Sequence, residues 1–271
     1  MKMAASQVTS YEHGSEQQRY AAMKSINSQA VSYEHGSEEQ IYAGMKVINK
    51  LTVRKGSTVL DLGCGTGYLT KVLSERVGPE GKVVAVDPDG ERLKIAREKY
   101  SASNIEYIQA DDKTFPPGQY DVIFSNIVIH WIHDKEALFK HVYESLQPGG
   151  HFVFTTYDGT PTFPPIVTKL FSMIDTQFLD RFLHEKQVYL SDTDYQALAS
   201  DVGFTQISVD TENVVTEWKN LDTFIISAHG ALQGELDLAQ ISNDTLKKLK
   251  EEYGDDVIRR PVGLIKAILT K

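Results

Sequence analysis

One cysteine, Cys64, stands in 271 residues, which excludes a disulfide or a thiolate metal site within the chain. Basic blocks are missing too. The 28 Lys and Arg residues are outnumbered by 37 Asp and Glu, for a net charge of −9. Nucleic acid is therefore not an expected partner, because phosphate neutralisation underlies that affinity. Long apolar runs are absent. The longest, Val122 to Ile132, is interrupted by Ser125, Asn126 and His130 and is too short to span a bilayer. The opening stretch MKMAASQVTSYEHGSE has no apolar h-region, so no secretory signal is expected there. Together these absences lead to the expectation of a soluble, cytoplasmic protein without membrane insertion. Its hydrophobic content of 41% and charged content of 24% are ordinary for a globular chain. Oligomeric state is not legible.

What is present starts with Val59 to Thr70, VLDLGCGTGYLT. A buried-type run ends in Asp61, a turn follows with Gly63, Gly65 and Gly67, and helical spacing restarts at Leu69, Val72 and Leu73. This predicts strand, tight turn and helix, the first half of a βαβ unit. Glycines at alternate positions let a ligand lie against bare backbone, with Cys64 as a small filler between them. The dinucleotide fingerprint wants a third small residue where this chain has Tyr68. Asp61 would repel a pyrophosphate and suits an ammonium group. A nucleoside with a positively charged amino-acid tail is the expected ligand, and a nicotinamide-dependent oxidoreductase is disfavoured.

Two more acid-ended runs follow, Lys82 to Asp87 (KVVAVD, then Pro88) and Ile105 to Asp112 (IEYIQADD). An acid about 20 residues beyond a nucleotide-binding turn can accept both ribose hydroxyls. Strands are predicted at 57–62, 82–87, 104–109, 120–126 and 149–157, and helices at 67–77, 90–101 and 134–146. Pro148-Gly149-Gly150 is expected to stop the last of these helices at Gln147. Such alternation means a parallel sheet covered on both faces. The pattern breaks at Asp158, where two helical stretches (Pro165 to Leu183 and Asp192 to Asp201) read as an insertion roofing the pocket. Strand signal returns at Phe204 to Asp210, helices are expected at 220–233 and 242–253, and Pro261 to Thr270 reads as a late edge strand.

The first fifty residues repeat. Ser10 to Asn27 recurs nearly unchanged as Ser32 to Asn49, and the helix of the second copy, Gln40 to Lys50, is expected to pack on the sheet through Ile41, Met45 and Ile48. His13 and His35 have no ligand spacing around them and are read as parts of a solvated helix entrance, with Ser15 and Ser37 as N-caps. The division expected is a duplicated lid at 1–50 and a catalytic domain at 51–271, with its helical cap at about 158–201.

VLDLGCGTG, with the acids at Asp61, Asp87 and Asp111 or Asp112, resembles the cofactor loop of class I S-adenosylmethionine-dependent methyltransferases. The resemblance implies a Rossmann-like three-layer α/β sandwich with a mostly parallel seven-stranded sheet, an N-terminal helical lid and a helical insertion after strand 5. It implies S-adenosyl-L-methionine as cofactor, an acid at Asp111 or Asp112 reaching the adenine amino group, and an antiparallel last strand. It also places Ser125, Asn126 and the turn after them at the reaction centre. His130-Trp131-Ile132-x-Asp134 resembles juvenile hormone acid and trans-aconitate methyltransferases, which methylate carboxylates. There Trp131, with His130 beside it, would hold substrate or cofactor. Tyr33 and Gln40 resemble the Y-x6-Q segment with which the hormone-acid enzymes cover cofactor and substrate. The acceptor implied is a small molecule, a carboxylate first. An amine or quinone-like ring carbon is the alternative, with His130 or His133 as base; a non-catalytic cofactor-binding regulatory module is another. His130 also reads as a packed or capping residue, and Trp131 as core.

Overall fold

The computed structural model describes residues 38–159, 162–175, 177–231, 241–254 and 256–271. The first repeat copy, Tyr33 and Ser37 lie outside these residues. The elements run α1 (Glu38–Lys50), β1 (Thr58–Leu62), α2 (Tyr68–Val77), β2 (Lys82–Asp87), α3 (Gly90–Tyr100), β3 (Ile105–Gln109), β4 (Tyr120–Asn126), a 3-10 turn (Ile129–Trp131), α4 (Lys135–Ser145) and β5 (Leu146–Asp158). Then come α5 (Pro165–Ile174), α6 (Phe178–Glu185), α7 (Asp192–Val202), β6 (Gln206–Trp218), α8 (Leu221–Ala231), α9 (Asn243–Tyr253) and β7 (Ile258–Thr270). No helix among the described residues is long and apolar enough to cross a membrane.

The seven strands form one sheet in the order β3-β2-β1-β4-β5-β7-β6. It is a mixed sheet. β3 to β5 pair in parallel through β2, β1 and β4, and β7 runs antiparallel to β5 from His151–Thr270 to Asp158–Gly263. The expected late edge strand is not at an edge: β7 lies between β5 and β6. In that inner place Leu264, Ile265, Ala267 and Leu269 are all buried.

Strand alternation divides the core in two. Val59, Val83, Val122, Phe124 and Val153 face α1 and α2, where Val47, Ile48, Leu51, Leu73 and Val77 cover them. Leu60, Val84, Ile123, Phe152 and Phe154 face the other way, onto Leu138, Phe139 and Val142 of α4 and Tyr195 and Ala199 of α7. The stripe that α1 buries is Ala43, Gly44, Val47 and Ile48, with Leu51 just past its end; the expected Ile48 is in the core and Met45 packs against it, whereas Ile41 is only half-buried. Gly44 explains the offset, because a Cβ there would strike Leu69 and crowd Asn126.

Other expectations also shift. Leu146 already pairs with Tyr120, so α4 ends at Ser145 and Pro148-Gly149-Gly150 falls inside β5, next to a register shift. The segment read as one helix over 165–183 breaks at Asp175 into α5 and α6, and the second helical stretch is no roof: α7 packs on α4 in the layer covering the sheet.

The chain divides into two compact units. One comprises 39–161, 182–214 and 261–271 and contains both cores. The other joins residues 162–181 to 215–260 and is built on Phe171, stacked with Phe178 at 4.9 Å and edge-on to Phe224 at 6.1 Å. In that second unit Lys250 and Asp222 form an ion pair at 3.0 Å with both side chains mostly buried.

Candidate active site

Chain order after β1 leads first to β2 on one side and later to β4 on the other. The carboxyl ends of β1 and β4 therefore part at a topological switch point, where open α/β sheets bind ligands. Two turns meet there, residues 63–67 after β1 and residues 127–132 after β4.

The first turn is bare backbone held from below. Gly63, Gly65 and Gly67 have φ of +79°, +56° and +89°. The amides of Gly63 and Cys64 donate to the Val86 carbonyl at 2.8 and 2.9 Å, and the Gly65 amide donates to Asp87 Oδ2 at 2.8 Å. Asp87 Oδ1 accepts from the Asp89 amide at 2.9 Å. The acid read from sequence as a ribose acceptor thus also fixes the glycine turn. At Gly63 a Cβ would run into Val128, so the two turns touch. At Gly67 it would lie 2.8 Å from Ala96 Cβ and 2.9 Å from the Tyr107 hydroxyl. Pro88 follows at the surface, its carbonyl accepting from Gln109 Nε2 at 3.0 Å.

Asp61 is buried beneath this turn, and Thr70 of α2 donates its hydroxyl to Asp61 Oδ2 at 2.6 Å. Burial raises the carboxyl to about 7; Thr70 opposes the shift and the charge of Asp87 adds to it. Burial likewise raises Asp87 and, with these two carboxylates beside it, keeps the Cys64 thiol protonated. A desolvated carboxylate of this kind gains most from a counter-ion. Thr70 left no signal in the sequence, since a helical Thr reads as filler.

The two acids after β3 separate in role. Asp111 Oδ1 accepts from the amides of Lys113 and Thr114 at 3.0 and 2.9 Å and from the Thr114 hydroxyl at 2.6 Å, and the Thr114 bond leads in holding its carboxyl below the usual range. It closes the turn with one oxygen. Asp112 is half-buried, which raises its carboxyl.

At the end of β4 the predicted site residues are structural first. Ser125 is fully buried and donates to the Leu62 carbonyl at 2.9 Å, tying β4 to the start of the glycine turn. Asn126 donates from Nδ2 to the Gln40 carbonyl at 2.9 Å and accepts at Oδ1 from the Thr155 hydroxyl at 2.6 Å. His130 is 3% exposed, its Nδ1 lies 3.3 Å from the Thr156 hydroxyl, and its ring stacks on Tyr189 at 5.7 Å. Tyr157 and half-buried Trp131 flank it at 5.2 and 5.4 Å. His133 is exposed, and Asp134 caps α4 through the Ala137 amide at 2.9 Å. Ile127, unnoticed in the sequence, holds φ +55°, alone among described non-glycine residues in the left-handed region.

Beyond Ile127 lies a small, open cleft. Ala43, Ile127, Leu264 and Val214 give it an apolar floor; Glu39, Gln40, Tyr42 and Tyr157 rim it. Ile127 in the cleft precedes Val128, which rests on Gly63, so cleft and glycine turn are adjacent. The set fits the cofactor that the sequence implies: a backbone cradle with no room for a Cβ, a buried acid suited to an ammonium, and a second acid at the end of the next strand.

The family model described as a methyltransferase domain matches residues 37–209. The malonyl-[acyl-carrier protein] O-methyltransferase 1 of Ilyobacter polytropus is 27% identical over 230 residues, 80% of this chain and 81% of that protein. The ubiquinone/menaquinone biosynthesis C-methyltransferase UbiE of an Enterobacter species is 39% identical over 107 residues, 37% of this chain and 43% of that protein. Among solved structures, the Bacillus subtilis YcgJ protein aligns with a TM-score of 0.58 at 17% identity over 85% of this chain and 98% of that one. Phosphoethanolamine N-methyltransferase 2 of Haemonchus contortus aligns with a TM-score of 0.58 at 20% identity over 89% of this chain and 57% of that one. These two likenesses bear on the fold alone. By the match over 37–209, the chain belongs to the methyltransferase domain family, and it is an S-adenosylmethionine-dependent methyltransferase.

Proposed function

We propose that the chain methylates the carboxylate of a small organic acid bound in the cleft beside the glycine turn. The observation that carries this is the cleft lining: among the described residues it holds no His, Lys or Cys, and its ionisable groups are Glu39 and the phenols of Tyr42 and Tyr157 at the rim. A carboxylate needs no general base to attack a methyl sulfonium; an amine or a ring carbon does. His130, which touches the cleft residue Tyr157, is enclosed by rings and suits positioning better than proton transfer. The malonyl O-methyltransferase relative, aligned over most of both chains, supports the same acceptor class.

Asp61 would pair with the ammonium of the cofactor, Asp87 and Pro88 would border its ribose, and Asp112 or the second oxygen of Asp111 would meet the adenine. Gly63, Cys64, Gly65 and Gly67 would line its tail. S-adenosylmethionine supplies the methyl group from a sulfonium. The protein's share is alignment and exclusion of water. Ser125 and Asn126 hold the ends of β4 around that point, with Gln40 set by Asn126 and with Trp131 and His130 shaping the turn behind.

A second reading, methylation of a ring carbon, draws on the UbiE relatives, whose match spans under half of those proteins. One experiment separates the two. Methyl transfer from radiolabelled S-adenosylmethionine into a pool of acids, amines and quinols is followed by mild base. Label released as methanol supports the ester; base-stable label overturns it in favour of N- or C-methylation.

A further inference from the structure

Helix α1 is fastened to its unit in two different ways along its length. Its C-terminal half is buried: Val47 is 1% exposed, Ile48 0%, and both sit in the apolar core with Leu73, Val77 and Phe124. Its N-terminal half carries three of the cleft's rim residues, Glu39, Gln40 and Tyr42, and adds one small side chain, Ala43, to a minor cluster with Ile127 and Leu264. An alanine contributes little burial energy. Polar ties must therefore hold this half down.

Two are present. Asn126 grips the Gln40 carbonyl, as described. The other is a charge cluster. Lys46 of α1 is ion-paired to Glu212 Oε1 on β6, and Glu212 Oε2 accepts from Lys266 of β7 at 2.7 Å. The Lys46 ammonium also lies over the Tyr42 ring at 4.8 Å.

The positions of these three residues matter more than their charges. Ala43 and Lys46 are three apart on a helix and share a face. Glu212 and Val214, like Leu264 and Lys266, are two apart on a strand and share a face. Each charged residue therefore neighbours a cleft-lining residue on its own element, so the cluster lies beside the cleft without lining it. Its two bonds do different work. Glu212–Lys266 joins two strands that are already neighbours in the sheet. Lys46–Glu212 joins helix to sheet beside the cleft.

We propose that the Lys46–Glu212 ion pair is a clasp that holds residues 39–46 over the acceptor cleft, making Glu212 a positioning residue for acceptor binding. This rests on the reading of the cleft as the acceptor site. With both side chains about a quarter to a third exposed (27% and 34%), the pair belongs with partly solvated bridges. Such pairs shift a local equilibrium by about two- to fivefold and weaken with salt.

Hydrogen exchange tests the clasp without needing the acceptor. The first amides of a helix have no internal partner, so residues 42–46 are the reporters and 47–51 the internal control. The full chain would be compared as wild type, Lys46→Met, Glu212→Gln and Lys266→Met, with and without S-adenosylhomocysteine. Lys46→Met and Glu212→Gln should speed exchange at 42–46 by about two- to fivefold and leave 47–51 unchanged. Lys266→Met should leave both stretches at wild-type rates. No acceleration in Lys46→Met, or equal acceleration in Lys266→Met, would overturn the clasp. Failure of the wild type to bind S-adenosylhomocysteine would instead overturn the reading of the site, so the two failures are distinct.

Discussion

Asn126 donates its side-chain amide to the backbone carbonyl of Gln40 at 2.9 Å. With its other atom taken by the Thr155 hydroxyl, this one residue joins α1, β4 and β5 at the point where the chain enters the active-site turn. The next residue, Ile127, is left-handed although β-branched, a conformation costing about 1–2 kcal/mol. Its amide bonds the Thr155 carbonyl at 2.9 Å, so the neighbours that fix Asn126 also hold the strained residue. Strain of this sort persists where surrounding structure over-determines it, and here it aims Val128 at Gly63 and Ile127 into the cleft.

Replacing Asn126 with Ala should remove both bonds and leave the fully buried Thr155 hydroxyl without its acceptor. A loss of about 1–3 kcal/mol in urea denaturation is expected. An unchanged midpoint would mean that the junction is held by packing alone.

Two glycines with nearly the same backbone should behave differently. Gly56 (φ +83°) has open space where its Cβ would be, whereas Gly63 (φ +79°) faces Val128. Gly56→Ala should lower stability by about 1 kcal/mol from backbone strain and leave S-adenosylhomocysteine affinity intact. Gly63→Ala should cost more stability and weaken the ligand at least about tenfold, through displacement of the turn. Calorimetric titration of both variants gives the comparison; equal affinities would remove the turn from the binding site.

Asp61 sets a pH dependence with a definite sign. Its folded carboxyl is raised to about 7, above the value in an unfolded chain. Its contribution is therefore fully present below about pH 4 and lost as pH rises through about 7. Ligand-free protein should gain stability from this group between pH 8 and pH 5, by up to about 3 kcal/mol, and Asp61→Asn should flatten that part of the curve. Ligand affinity should run oppositely. An ammonium needs Asp61 ionised, so S-adenosylhomocysteine should bind more tightly as pH rises through about 7, and Asp61→Asn should remove the trend. Affinity independent of pH in the wild type would break the proposed ion pair.

The carboxylate reading predicts little role for an imidazole base. Initial rates with acid acceptors should not collapse as pH falls through about 6.5, the reference value for His. His133→Ala should leave turnover unchanged, because that residue is exposed. His130→Asn should raise the acceptor KM through loss of its contacts with Tyr157 and Tyr189. A rate that titrates with His130 present and is flat without it would move the chemistry to an amine or ring carbon.

Local pattern was enough for the strand–turn–helix at 58–77, because a glycine-rich turn after a buried run has few other uses. The same holds for the succession of β2, α3, β3 and β4, where apolar periodicity switches between two and three to four residues. Function class followed from that turn and its acids. What pattern could not assign was placement across the sheet. An apolar run such as VGLIKAIL reads alike at an edge or inside, and β7 took the inner place only by pairing along β5. Likewise α7 could not be told from a roof helix until Tyr195 was seen against Phe139 and Phe154.

The sequence by itself determined the α/β class, the cofactor loop and the acids that end successive strands, because these depend on spacing along the chain. Tertiary structure alone decided what those side chains touch. Ser125 and Asn126, which the family resemblance placed at the reaction centre, are ties to Leu62 and Gln40; Asp111 closed a turn; Ile127, Thr70 and Glu212 gained their roles from partners 9 to 166 residues away. Such contacts depend on how the sheet is ordered and how closely α1 can approach it, and no local period encodes either.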